Sequence, residues 1–263
     1  MKNAAHIAVF IFLSVALTLL TAQGQAEEPV KVPIIVYHNI AYDITDEDVL
    51  VTVTPQTFRE HMQAIKNAGY TPITFGEYYS FVQNGTPLPK NPIMINFDDG
   101  YLSNYTYAYP LLREMGMKAT FFIVTDTVGA DFDWMYPHFT WEQAREMDKS
   151  GVIDIQSHSH THVNLTEISG LEAVTEIRLS KYLIETNLNK ECAFFAYPYG
   201  ASSEITVYLA ETAGYKMQML FGNNGYNVKE TPLHRIERLI VRGDYSGAEL
   251  ISFVEQILTN EPE

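Results

Sequence analysis

One pattern constrains the fold more than any other feature of these 263 residues: an amphipathic helical stretch ends in a glycine, and a short run of β-branched and aromatic residues follows. It recurs as KNAGYTPIT, REMGMKATFFIV, DKSGVIDIQSH and ETAGYKMQMLF. A glycine just past a helix supplies the left-handed cap, and the apolar run after it reads as a buried strand. PIIVYH at 33–38, PIMINF at 92–97, CAFFAY at 192–197 and RLIV at 238–241 bring the strand candidates to about eight, alternating with helices. The helix starts agree. Thr54 precedes Pro55, with Phe58, Met62 and Ile65 on one face, and Thr140 with Gln143 has the form of a capping box. Strands this continuously apolar need cover on both faces, which predicts a parallel sheet wrapped by helices, either a closed barrel or an open doubly wound sheet. No Gly-x-Gly-x-x-Gly follows the first strand and no P-loop occurs, so nucleotide-binding versions lose support.

Composition narrows the function. Lys+Arg 17 against Asp+Glu 32 gives a net charge of -15, which argues against a nucleic-acid surface built on clustered basic residues. Cys192 is the single cysteine, so any metal site must use histidine and carboxylate. Residues 1–26 read as a secretory signal peptide, or alternatively an uncleaved N-terminal anchor: Lys2 precedes an apolar run from Ile7 to Leu20, with Ala22, Gly24 and Ala26 behind it. The run is shorter than the about 20 residues of a bilayer span. The working domain is then 27–263, expected to be secreted, periplasmic or at the cell surface. The acidic stretch Asp43, Asp46, Glu47, Asp48 reads as a solvated loop.

The unusual polar residues gather just beyond strand ends, the edge where barrels and open α/β sheets bind ligands. His38 ends the first strand, Asp98 and Asp99 follow MINF, His158 and His162 follow VIDIQS, and Tyr197 to Gly200 follow AFFA. Two adjacent carboxylates in a dry pocket repel unless a cation or proton sits between them, although Asp-Asp-Gly is also an ordinary polar turn. Two histidines four apart on one face of a helical turn can chelate an ion, whereas His160, two residues from each, points elsewhere. One Asp with two His is a set that suits Zn²⁺ and equally non-haem iron. The second Asp favours zinc hydrolysis, because a carboxylate beside a metal-bound water is a ready general base.

NFDDGY, SHSHTHVNL and FAYPYG, in that order, resemble the polysaccharide deacetylases with the NodB homology domain, carbohydrate esterase family 4. YHNI near the start resembles the subgroup of secreted poly-N-acetylglucosamine de-N-acetylases. The resemblance covers most of residues 30–245 and implies a deformed (β/α)7 barrel in a single domain. It also implies one divalent metal ion, with zinc expected first and cobalt or nickel as alternatives. Carried over by position, Asp98 is the base, Asp99, His158 and His162 are the metal ligands, and the Tyr199 backbone N–H helps hold the oxyanion. Two departures stand out. Ala196 occupies the place of an arginine that braces the base in many members, and the C-terminal Leu-x-His motif is missing, with His234 nearby in TPLHRIERL. His38 is expected to act as the acid that protonates the leaving amine, with His234 as its rival. Pro198, Tyr199 and Trp141 are expected substrate contacts, Trp141 as the best of a cluster with Trp134, Tyr136 and Phe139.

The expected function is removal of N-acetyl groups from N-acetylglucosamine units of a polysaccharide, with that polymer as partner, no nucleic acid and no stable protein partner. An O-acetyl esterase acting on acetylxylan and a catalytically idle carbohydrate-binding barrel are the alternatives.

Overall fold

The computed structural model describes residues 29–44, 48–131, 136–222 and 225–259. The apolar segment Ile7 to Leu20 and Trp134 lie outside them. The strands are β1 (Val32–Tyr37), β2 (Asn39–Ile40), β3 (Thr52–Val53), β4 (Thr71–Ile73), β5 (Pro92–Phe97), β6 (Ala119–Ile123), β7 (Ile153–Ser157), β8 (Phe194–Ala196), β9 (Met217–Phe221), β10 (Tyr226–Asn227) and β11 (Ile236–Ile240). Interleaved with them are helices α1 (Pro55–Asn67), α2 (Phe75–Asn84), α3 (Tyr109–Met115), α4 (Trp141–Lys149), α5 (Gly170–Leu188), α6 (Glu204–Thr212) and α7 (Gly247–Thr259).

Among the described residues, seven parallel strands close into a ring in the order β1, β11, β9, β8, β7, β6, β5, and the pairing of β5 back to β1 decides between barrel and open sheet. The closing register runs from Ile34 opposite Met94 to Tyr37 opposite Phe97. The ring is splayed at the strand starts. There β5 pairs with β4 through Pro92–Met94 before it meets β6 at Asn96 and Phe97, and β1 pairs antiparallel with β10 before it meets β11. Eight strand candidates therefore resolve into seven ring strands plus β4 on the outside edge.

The apolar runs are continuous because both strand faces are buried. On β5, Ile93, Ile95 and Phe97 pack outward under the helices, while Met94 faces the lumen cluster that also holds Ile34, Phe122, Phe194, Ala196, Met217, Met219 and Ile236. Side chains alternate along a strand, so Asn96 and then Asp98 follow Met94 into the lumen. Helix ends obey the local signals. Thr54 caps α1 by accepting from the Thr57 N–H, with Pro55 in the first turn, and Thr140 and Gln143 form a reciprocal box at α4.

Candidate active site

The lumen turns polar at its C-terminal end. Asp98 is 0% exposed and receives both terminal nitrogens of Arg238, at 2.8 and 2.9 Å, with the Asn96 amide donating at 3.3 Å. Arg238 comes from β11, where Ile236 and Arg238 share the lumen face, and its guanidinium lies 5.3 Å from the Phe122 ring and 5.1 Å from the Phe221 ring. The small Ala196 belongs to the same lumen cluster. An arginine 42 positions further along the chain thus supplies the charge that Ala196 does not. Burial alone would raise the Asp98 pKa, but the Arg238 charge and fork outweigh it and hold the group down at about 2.

Asp99 turns away from its neighbour because its backbone is left-handed (φ 72°), and Gly100 continues the turn at φ 87°. Its Oδ1 lies 3.3 Å from His162 Nε2 and 3.7 Å from His158 Nε2, and His158 Nε2 lies 3.8 Å from Asp98 Oδ2. His158 Nδ1 is 2.8 Å from the Ala196 carbonyl, so Nδ1 carries the proton and the Nε2 lone pair is left facing the carboxylates. Burial lowers the His158 pKa to about 4, which keeps the ring neutral and able to ligate near neutral pH. The ligand atoms of Asp99, His158 and His162 all lie within 4.8 Å of one another, and their N–O spacings are near the roughly 3.4 Å edge of a tetrahedral zinc site. The trio could hold a divalent ion.

The two histidines do not share a helical turn, as their spacing suggests. Residues 158–162 form an irregular loop in which Ser159 (φ 70°) and His162 (φ 61°) are left-handed. Of six described non-glycine residues with positive φ, four (Asp99, Ser159, His162, Tyr199) sit in these loops, so backbone strain of about 1 kcal/mol each is concentrated at the site. The loop is clamped from α5. Glu176 Oε2 accepts from the His160 and Thr161 N–H groups at 3.0 and 2.7 Å, and its Oε1 accepts from the Thr161 hydroxyl at 2.7 Å. His160 is turned away, with Nδ1 2.9 Å from the Thr125 hydroxyl.

His38 follows β1, the ring neighbour of β5, and lies close enough to Asp98 for a charge on its ring to lower that pKa. His234 precedes β11 and therefore sits on the opposite rim, half-exposed and 4.0 Å from Glu211, which removes it as a rival acid. Tyr199 is 62% exposed, and its ring centroid lies 4.8 Å from that of His162. Pro198, expected beside it as a substrate contact, is buried. The next residue, Gly200, is left-handed and so close to β9 that a Cβ would stand 2.6 Å from the Phe221 nitrogen. The aromatic cluster is only partly a surface: Phe139 is fully buried in the core and Trp141 packs against it, whereas Tyr136 lines a pocket of about 90 Å³ with Asp99, Tyr101, His138 and His162. Arg238, Glu176, Tyr101 and His138 are the residues that sequence reasoning missed.

The family profile described as polysaccharide deacetylase matches residues 85–218, slightly more than half of the chain. The chain belongs to the polysaccharide deacetylase family. Members are hydrolases of amide or ester bonds, and so is this chain. The Bacillus subtilis protein YxkH, whose name places it among polysaccharide deacetylases, is 29% identical over 233 residues, 89% of this chain and 79% of the relative. The poly-beta-1,6-N-acetyl-D-glucosamine N-deacetylase of Escherichia coli K12 is 25% identical over 261 residues, and the match spans 85% of this chain but 38% of that protein. Among solved structures, the Streptococcus pyogenes deacetylase PplD in complex with acetate is 27% identical, with a TM-score of 0.76 over 89% of this chain and 100% of that one.

Proposed function

We propose that this polysaccharide deacetylase is an exported, divalent-metal-dependent enzyme that removes acetyl groups from N-acetylglucosamine units of a polymer. The observation that carries the reading is a buried carboxylate kept ionised, Asp98, within 3.8 Å of a histidine that belongs to a three-ligand cluster. Relatives named as poly-N-acetylglucosamine deacetylases support the substrate class. The apolar run from Ile7 to Leu20 supports export, and N-terminal sequencing of material from outside the cell should then begin at Gln25 or Glu27.

Asp99, His158 and His162 would hold the ion, with zinc expected first and cobalt or nickel also compatible with the donors. Such an ion, when bound, polarises the acetyl carbonyl and acidifies water. Asp98 takes the proton from the attacking water. The Tyr199 backbone N–H donates to the developing oxyanion. His38 passes a proton to the departing amine, which is a poor leaving group without one. Acetate release from β-1,6-linked N-acetylglucosamine oligomers should be abolished by chelation and restored by added zinc or cobalt. Release from acetylxylan alone, or release indifferent to chelation, would overturn the reading.

Glu176 offers a test of the metal cluster that does not depend on turnover. Gln at this position has one acceptor oxygen where the loop presents three donors, so Glu176→Gln should loosen the segment between the two histidines. Zinc affinity, read by competition with a chelating dye, should fall about 10- to 100-fold, the range for partners that orient ligands. Unchanged affinity would show that the loop holds its shape without the clamp.

A further inference from the structure

The pocket beside Asp99 and His162 encloses about 90 Å³, room for about three waters or for an acetamido group of about four heavy atoms. A pyranose with its hydroxyls, about eleven heavy atoms, is larger than this partly open pocket. A sugar presenting its acetamido group there must rest on the rim outside. Tyr136 lines both this pocket and a second cavity of about 490 Å³. The second cavity is built by the loops after β1, β5 and β6, which are consecutive around the ring, and its walls include Tyr42, Asp43, Ser103, Tyr107 and Tyr136.

Tyr42 is 72% exposed although its ring meets that of Tyr107 at 5.8 Å and nearly at right angles, so much of its surface is open to a ligand. A pyranose has an apolar C–H face that suits such a ring and hydroxyls that suit the exposed Asp43 carboxylate, whereas the Ser103 hydroxyl is already held between the Asn39 side chain and the Ile40 N–H. No lysine or arginine lines the cavity among the described residues, which disfavours a phosphorylated or uronic-acid polymer and favours a neutral or amino-sugar chain.

We infer that this cavity is a polymer subsite: it holds the sugar units next to the one being deacetylated, with Tyr42 and Tyr107 as stacking platforms. The inference rests on the site proposed above, since the acetamido pocket sets where the chain must pass. Native gel electrophoresis of the metal-loaded protein through embedded poly-β-1,6-N-acetylglucosamine reads the subsite directly, and acetate release reads the chemistry separately. The polymer should retard the wild-type protein. Tyr42→Ala with Tyr107→Ala should raise the apparent dissociation constant about tenfold or more, whereas Tyr208→Ala, replacing a tyrosine on α6 that is also well exposed, should not. In turnover, the double variant should raise KM for a pentamer more than for a dimer. Wild-type migration unaffected by polymer, equal retardation of wild type and double variant, or equal KM changes at both lengths would overturn the subsite. Retardation that depends on the two tyrosines without any acetate release would support the subsite and refute the proposed reaction.

Discussion

Asp98→Asn should lower deacetylation by about two to four orders of magnitude, the loss expected for a general base, while the Asp99, His158 and His162 cluster still takes up metal. The substitution also has a structural cost that must be separated from the chemical one. Arg238 is fully buried and cannot give up its proton, so an amide at position 98 leaves a guanidinium facing one weak acceptor instead of a carboxylate. Breaking a buried pair in this way costs about 3–5 kcal/mol. Turnover should therefore be counted per metal-loaded, folded molecule, with zinc stoichiometry and a denaturation midpoint measured on the same sample. Full turnover in such molecules would remove Asp98 from the base role, whatever happens to stability.

The parts of this site legible in the sequence are those that local rules place. Asp98 and the histidines could be read as site residues because they follow apolar strands at the edge where such sheets bind ligands. The helical turn expected for the histidine pair is absent. Spacing of four suggests a helical turn, but left-handed Ser159 and His162 bring the rings together from a loop, and nothing in residue periodicity reports a backbone of that sort. Arg238 was illegible for a different reason. Its partnership with Asp98 exists only because β11 and β5 flank β1 in a closed ring, a contact across 140 positions, and in the sequence Arg238 is one of three charged residues, with Arg235 and Glu237, in RIERLIV. The direction of β11 separates His234 from the site, because the chain enters the strand at the opposite rim, although only a few residues lie between His234 and Arg238. The short pairs β2 with β3 and β1 with β10 escaped because two residues carry no period. Phe139 misled because an aromatic ring needed by the core and one offered to a sugar look alike in sequence.

Arg238→Met should reverse the sign of the pH dependence that Asp98 contributes to stability. With the arginine present, the folded Asp98 pKa, at about 2, lies below the ordinary carboxylate value, so the pair stabilises the fold above that value and the contribution is lost as pH falls towards 2. Without it, burial is the leading influence left and pushes the carboxyl above its unfolded value. The group then contributes stability only while it is protonated, and that contribution disappears as pH rises through the new folded pKa. Urea denaturation at pH 4.5 and pH 7.5 should show Arg238→Met losing more stability, relative to the wild-type protein, at the higher pH. A carboxyl can relieve its isolation by taking up a proton and a guanidinium cannot shed one, so at low pH Arg238→Met should be the milder of the two single variants. The double variant Asp98→Asn with Arg238→Met should accordingly be more stable than Asp98→Asn alone, because each substitution removes the group the other leaves unpaired. In catalysis, the acid limb of kcat/KM should move upward in Arg238→Met, since a base that holds its proton cannot take one from water. An unchanged acid limb together with unchanged pH dependence of stability would mean that Asp98 owes its ionisation to something other than Arg238.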